Sequence, residues 1–307
     1  MSIAIVPDFL GAVSTALENA DPVPPLVGTA VGTVLLVLAL CFRGESGRGP
    51  LGLGLAALAG LAALVAALYA SDLSVAVPPK VFRDWTVVVT ALGVLVGVLM
   101  GARPALRVAG LLLGAAALVY LFSVPTKSLH GRYWDGQVTL YVACLAGAGV
   151  LAMLVRMGQG AQGRTAEGML AFAISASMAA PAVGLTGTGV SAGLAGALAG
   201  GAGLFGLLLM ARPGLRERSD GIGRAAGTVQ VIALVGVLAT GVLYAETPKW
   251  SGALILLAPC LTLLPGKSTP AALVRLGLVA AVCVAPVIAA LLGQEPPSPY
   301  GAYGGYR

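Results

Sequence analysis

Long apolar blocks divide this chain almost from end to end, and they constrain its fold more than any other feature. Each block holds about 15 to 22 residues, and about 20 helical residues rising 1.5 Å each cross a hydrocarbon core ~30 Å thick. Only 10% of the 307 residues are charged, whereas soluble domains are about a quarter charged. We therefore predict an integral membrane protein whose blocks span the lipid bilayer.

The blocks predict ten transmembrane helices in an all-α polytopic bundle. A β-barrel is disfavoured because its strands would alternate polar and apolar residues, and these blocks are uniformly apolar. The third and ninth blocks are short and the sixth and seventh nearly touch, which leaves a margin of one or two spans. The predicted spans are Leu26–Phe42, Leu51–Ala70, Trp85–Met100, Ala105–Val124, Val138–Val155, Gly168–Leu185, Val190–Met210, Ala225–Tyr244, Trp250–Leu264 and Ala271–Leu292.

Two terminal segments flank the transmembrane domain, which we place at residues 24–293. Residues 1–23 carry three acidic residues and no basic one, which does not fit a cleavable signal peptide. Their apolar residues recur at helical spacing, so we predict a short extracytoplasmic helix on the membrane surface. Residues 294–307 are rich in proline, glycine and tyrosine, a composition that predicts a disordered tail.

Basic residues are divided unevenly between the two sets of alternate loops. Basic loops stay on the cytoplasmic side, so the division predicts a bacterial-type plasma membrane protein with both termini extracytoplasmic. The richer set holds 12, namely Arg43, Arg48, Arg103, Arg107, Arg156, Arg164, Arg212, Arg216, Arg218, Arg224, Lys267 and Arg275. The other set, with the termini, holds six, namely Lys80, Arg83, Lys127, Arg132, Lys249 and Arg307.

Likenesses between loops raise the hypothesis of an internal duplication. Trp85, Trp134 and Trp250 all fall at the predicted outer boundary, each after a tyrosine, a proline and a lysine. On the opposite face, Ala102–Arg107 resembles Ala211–Arg216. A duplication would pair the third to fifth spans with the seventh to ninth. The alternative is that aromatic and basic residues are simply what interfacial loops use.

The sequence shows no catalytic, cofactor or metal signature. The four cysteines stand singly in apolar blocks, and the one histidine, His130, excludes haem held by two histidines of this chain. No ionisable residue falls in the middle of a predicted span, which argues against proton coupling through a carboxylate. The scattered basic residues do not form a nucleic-acid-binding stripe. We expect no cofactor, no metal and no nucleic-acid partner.

Two polar groups are candidate sites. The first could form a shallow outer-face site in which His130 and a carboxylate share proton transfer, or be a solvated rim. It comprises Asp84, His130, Arg132, Asp135 and Lys249. The second lies among glycines and a proline, as in the broken helices of transporters, or in an ordinary helical hairpin. This mid-membrane site comprises Ser175, Ser177, Thr186 and Thr188.

Glycines at four-residue spacing predict close helix packing or self-association, because they let helix backbones approach in lipid. Examples are Gly93, Gly97 and Gly101. Three functions follow as hypotheses. The first is a non-enzymatic membrane component that packs with itself or with other membrane subunits. The second is a small-solute transporter of the ten-helix size, and the third is an enzyme acting on lipid-linked substrate at the outer face.

Overall fold

The computed structural model describes residues 21–44, 49–76, 78–79, 81–129, 136–184, 189–216, 219–244, 249–266 and 268–292. These ranges contain eleven α-helices, one 3-10 helix and no β-strand. The helices are α1 Val23–Cys41, α2 Pro50–Ala70, α3 Phe82–Gly101, α4 Pro104–Leu129, α5 Gly136–Ala161, α6 Thr165–Gly184, α7 Gly189–Ala211, α8 Pro213–Arg216, α9 Asp220–Tyr244, α10 Lys249–Leu257, the 3-10 helix Ala258–Leu263, and α11 Thr269–Leu292. An all-α polytopic bundle of about ten helices is confirmed.

Eight helices in the described ranges are long and apolar enough to cross a membrane: α1, α2, α3, α5, α6, α7, α9 and α11. The other two predicted spans are α4, with the apolar stretch Pro104–Tyr120, and α10 with its 3-10 continuation. The nine residues of α10 and the six of the 3-10 helix together cover about 25 Å, since a 3-10 helix rises ~2.0 Å per residue. The stretched geometry lets a short apolar block cross most of the hydrocarbon core.

Helix α9 is the centre of the bundle. It packs against α2, α3, α5, α6 and α7, and an 18-residue stretch of it is entirely buried within the protein, whereas only 22% of the corresponding stretch of α11 is. The neighbouring helices thus separate α9 from lipid. Polar side chains of α9 therefore face protein, where partners are available, and not hydrocarbon.

Helices α3 and α9 approach closely along one glycine-lined face. A methyl group at Gly97 would lie 2.7 Å from the carbonyl oxygen of Ala225 and 2.7 Å from a methyl of Val229. One at Gly101 would lie 2.8 Å from the carbonyl oxygen of Gly221. These distances are well inside van der Waals contact, so the two backbones can reach this spacing only because the side chains are absent.

The predicted terminal segments lie almost wholly outside the described residues, so the surface helix at 1–23 and the tail at 294–307 stay predictions. The internal duplication likewise stays a hypothesis. At the predicted outer face, the rings of Trp85 and Tyr120 meet edge to face with centroids 6.0 Å apart, which joins the start of α3 to α4.

Candidate functional site

Buried charges gather at one end of the bundle, where α5 and the 3-10 helix end and α6, α9 and α11 begin. We call this the arginine-rich end. Its charged side chains Arg156, Glu167, Arg224 and Arg275 are each at most 5% exposed. It is the end that the loop charges predict to be cytoplasmic.

The interpretation of these arginines as loop residues is wrong. Arg156 lies within α5, Arg224 within α9 and Arg275 within α11, each about one to two turns from a helix end. The helices extend past the apolar blocks because their charged groups find partners inside the protein and do not need water. The three arginines are therefore members of a buried cluster and not loop residues in contact with water.

Glu167 and Arg275 form a two-pronged ion pair between α6 and α11. Arg275 donates from Nε to Oε1 of Glu167 at 2.6 Å and from Nη2 to Oε2 at 2.7 Å. Its Nη1 donates to the carbonyl oxygen of Gly266 at 2.9 Å. Parallel hydrogen bonds of this kind are the strongest that a guanidinium makes with a carboxylate. The pair fixes the start of α11 against the start of α6.

Arg164 binds the end of the 3-10 helix. Helix α5 ends at Ala161, and Gly163 takes the left-handed conformation (φ +64°) that favours glycine. This turn aims the Arg164 guanidinium at three carbonyl oxygens, those of Thr262 at 2.6 Å, Leu264 at 2.9 Å and Gly266 at 3.0 Å. Carbonyl oxygens at a helix end lack hydrogen-bond donors within the helix. The Arg164 side chain supplies these donors at the end of the 3-10 helix.

Replacing Arg164 by glutamine is expected to loosen residues 258–266 locally, because a glutamine cannot reach three carbonyl oxygens. A hydrogen bond contributes about 1 kcal/mol, but two of the three are exposed and water can replace them, so the melting temperature should fall little. Hydrogen–deuterium exchange read by mass spectrometry would show faster exchange confined to this segment. Arg103→Gln, at an exposed turn residue, is the control; equal exchange in both variants would contradict the assigned role.

Gln159 and Thr165 connect further elements of the cluster. Gln159 Nε2 donates to Thr262 Oγ1 at 2.6 Å, and its Oε1 accepts from Arg156 Nη1 at 3.1 Å. Thr165 Oγ1 donates to Asp220 Oδ1 at 2.5 Å, which joins α6 to α9. Hydrogen bonds and the ion pair at the arginine-rich end thus join four helices and the 3-10 segment.

Arg156 differs from the other members because its partners among the described residues are all neutral. Besides Gln159, its Nη2 contacts the Met169 sulfur at 3.5 Å, and its guanidinium lies 5.4 Å from the ring centre of Phe172. Its Nε has no acceptor, and no carboxylate pairs with it in the described part of the chain. A buried cation held only by neutral groups is uncommon, since burial disfavours charge unless it is paired.

Glycines make the room that the guanidinium groups occupy. A methyl at Gly227 would lie 2.8 Å from Arg156 Nε, and one at Gly168 would lie 2.7 Å from Arg156 Nη1. A methyl at Gly160 would overlap Arg224. Helices α5, α6 and α9 thus each have a glycine at the point where an arginine side chain packs against the helix backbone.

Two small cavities adjoin Arg156, each of about 10 Å³. The first is mostly apolar and includes Phe172 and Ser175 in its lining. The second is polar and is lined by Arg156, Gln159, Gly160, Thr165, Gly223 and Arg224. A volume of this order holds about one water molecule.

Only the two serines of the predicted mid-membrane site are described, and they face different surroundings, so this site stays a prediction. Ser175 is buried and lies 3.6 Å from the sulfur of Cys283 on α11, whereas Ser177 is exposed. Residues two apart on a helix point about 200° apart, so the two hydroxyls face different surroundings. Thr186 and Thr188 lie between α6 and α7, outside the described residues.

Among the residues of the predicted outer-face site, only Asp84 has a described side chain. Its carboxylate is buried and accepts a hydrogen bond from the backbone nitrogen of Val81 at 3.3 Å, as a residue that caps the start of a helix does. Lys249 is the first residue of α10. His130, Arg132 and Asp135 lie outside the described residues, so this site stays a prediction.

Sequence reasoning missed Glu167, Gln159 and the pairing of Arg275. One signal was present: Arg275 lies four residues inside the predicted span Ala271–Leu292, where a charge needs a partner. Within the described ranges, no three histidine, cysteine or acidic side chains are placed to hold a metal. No protein-family model, curated protein or solved structure matches the chain.

Proposed function

We propose that this chain is a non-enzymatic component of a membrane assembly, a rigid helical bundle that packs with copies of itself or with other membrane subunits. The observation that carries the proposal is that the buried polar side chains of the arginine-rich end bind one another across helices. Glu167 pairs with Arg275, Gln159 with Thr262, and Thr165 with Asp220. Side chains used in this way hold helices together and are not free to bind a substrate.

The cavities support the same proposal. Those beside Arg156 measure about 10 Å³, whereas sites for small organic molecules measure about 300 Å³ or more. The glycine-lined approach of α3 to α9 adds tight packing at the centre. Without Arg156, Arg224 and Arg275, the richer set of loops still holds nine basic residues against six, which supports an orientation with both termini outside the cytoplasm of a bacterial-type plasma membrane.

A solute transporter is the second candidate, and one observation favours it. Arg156 lies inside a membrane-crossing helix with neutral partners, and ionisable residues within spans commonly mark ion or substrate paths. A transporter would open a path past Arg156 that the two small cavities do not provide in this conformation.

Purification and reconstitution distinguish the two candidates. Extraction of the tagged full-length protein in mild detergent is expected to recover stoichiometric partners or a defined oligomer by mass photometry. Vesicles containing the purified protein are expected to match empty vesicles in the uptake of small ionic and neutral solutes. Saturable uptake that Arg156→Gln reduces while Arg103→Gln does not would overturn the component proposal in favour of transport.

A further inference from the structure

No described carboxylate pairs with the positive charge of Arg156. Its side chain is 95% buried, and a guanidinium remains protonated in proteins. Its partners are an amide oxygen, a thioether sulfur and an aromatic face, which carry no negative charge. An uncompensated charge in a low-dielectric interior is strongly unfavourable, so a counter-charge is the ordinary way to retain it.

The polar cavity beside Arg156 has the lining of an anion site. Two of its six lining residues, Arg156 and Arg224, carry guanidinium groups, and none carries a carboxylate. Thr165 adds a hydroxyl, whose proton is directed to Asp220. Asp220 accepts that proton and is not among the residues that line the cavity.

The size of this cavity restricts the anion. The room of about 10 Å³ accepts about one water molecule, and a halide ion, although larger than water, is a single sphere that small shifts of the two flexible arginine side chains can accommodate. A phosphate group or a lipid headgroup has several oxygens around a central atom and does not fit. Gly160 and Gly223 contribute backbone without side chains to the wall, and Arg224 and Thr165 can reach the cavity because a methyl group at either glycine would overlap them.

We propose that the cavity between Arg156 and Arg224 binds one monatomic anion, chloride being the abundant example, as a buried counter-ion that stabilises the arginine-rich end. The site goes beyond the proposed membrane component, and its existence does not depend on what the bundle assembles with. Its function is structural: the anion compensates Arg156 and links α5 to α9.

Chloride-dependent stability tests the proposal. The full-length protein in detergent is heated in sodium chloride and sodium gluconate mixtures of constant ionic strength, and unfolding is followed by tryptophan fluorescence. Because a ligand that binds only the folded state stabilises it, the melting temperature is expected to rise by about 5 °C, with saturation, between zero and about 300 mM chloride. Arg156→Gln should abolish the rise and Arg103→Gln should keep it.

Two results would overturn the site. One is a wild-type melting temperature that is equal in chloride and gluconate, which is expected if the cavity holds water. The other is a chloride response that survives in Arg156→Gln. Should that variant fail to fold, crystals of the wild-type protein grown in sodium bromide decide the matter: an anomalous peak beside the Arg156 guanidinium supports the proposal, and its absence refutes it.

Discussion

Replacing Glu167 by glutamine is expected to destabilise the folded bundle by about 3 kcal/mol or more, because it leaves the guanidinium of Arg275 buried without a negative partner. Both side chains of the pair are at most 4% exposed, so water cannot take the place of the carboxylate. Glutamine nearly matches glutamate in shape, so the variant removes the charge and one of the two acceptor oxygens without leaving a cavity. Equilibrium unfolding of the full-length protein in mixed micelles with increasing SDS would measure the difference.

Two further variants make this test specific. Asp72→Asn is the same acid-to-amide change at an exposed residue with φ 54°, a conformation that asparagine tolerates well, and it should change stability by less than about 0.5 kcal/mol. The double variant Glu167→Leu with Arg275→Met removes both charges and should recover much of the loss, since an apolar pair carries no desolvation cost. Equal effects of Glu167→Gln and Asp72→Asn would show that the buried pair does not stabilise the fold.

Replacing Gly97 by alanine is expected to destabilise the bundle by about 2 kcal/mol or more, because overpacking a close helix interface forces the backbones apart. The added methyl would meet the carbonyl oxygen of Ala225 at 2.7 Å, and a backbone atom of the central helix cannot move aside without shifting α9. The same SDS titration would measure the loss.

Gly147 supplies the matched control for this substitution. It also lies within a helix, α5, but a methyl group there would meet nothing within 4 Å. Alanine favours helix over glycine by up to about 1 kcal/mol, so Gly147→Ala should be neutral or stabilising. Opposite signs at the two glycines are the expected result. A similar small change at both would mean that α3 and α9 are not in close contact in the folded protein.

The sequence predicted the number and approximate bounds of the long helices because hydropathy is a local property that adds up along each block. Where it erred, the errors lie at helix ends. Arg156 and Glu167 were excluded from the fifth and sixth spans because of their charge, yet both lie within helices α5 and α6. A charged residue near a span end is placed in water or in protein according to its partners, and those partners come from other helices.

The candidate site was predicted less well than the fold. Glu167 and Arg275 are 108 positions apart, and Gln159 and Thr262 are 103 apart. No local pattern relates residues at such separations. The polar groups that the sequence did bring forward, such as Ser175 and Ser177, were grouped by closeness in the chain, whereas the helical turn sends their side chains in different directions.

The sequence by itself determined that the chain crosses a membrane as a bundle of about ten helices, since long uncharged blocks are more stable in lipid than in water and must satisfy their backbone hydrogen bonds internally. Only the tertiary structure decided which helix is central. An 18-residue stretch of α9 has a mean hydropathy of 1.7 and one of α11 has 2.3, yet the stretch of α9 is enclosed and that of α11 is largely exposed. Lipid and protein interior are similarly apolar, so hydropathy drives a helix into the membrane but does not choose its neighbours there.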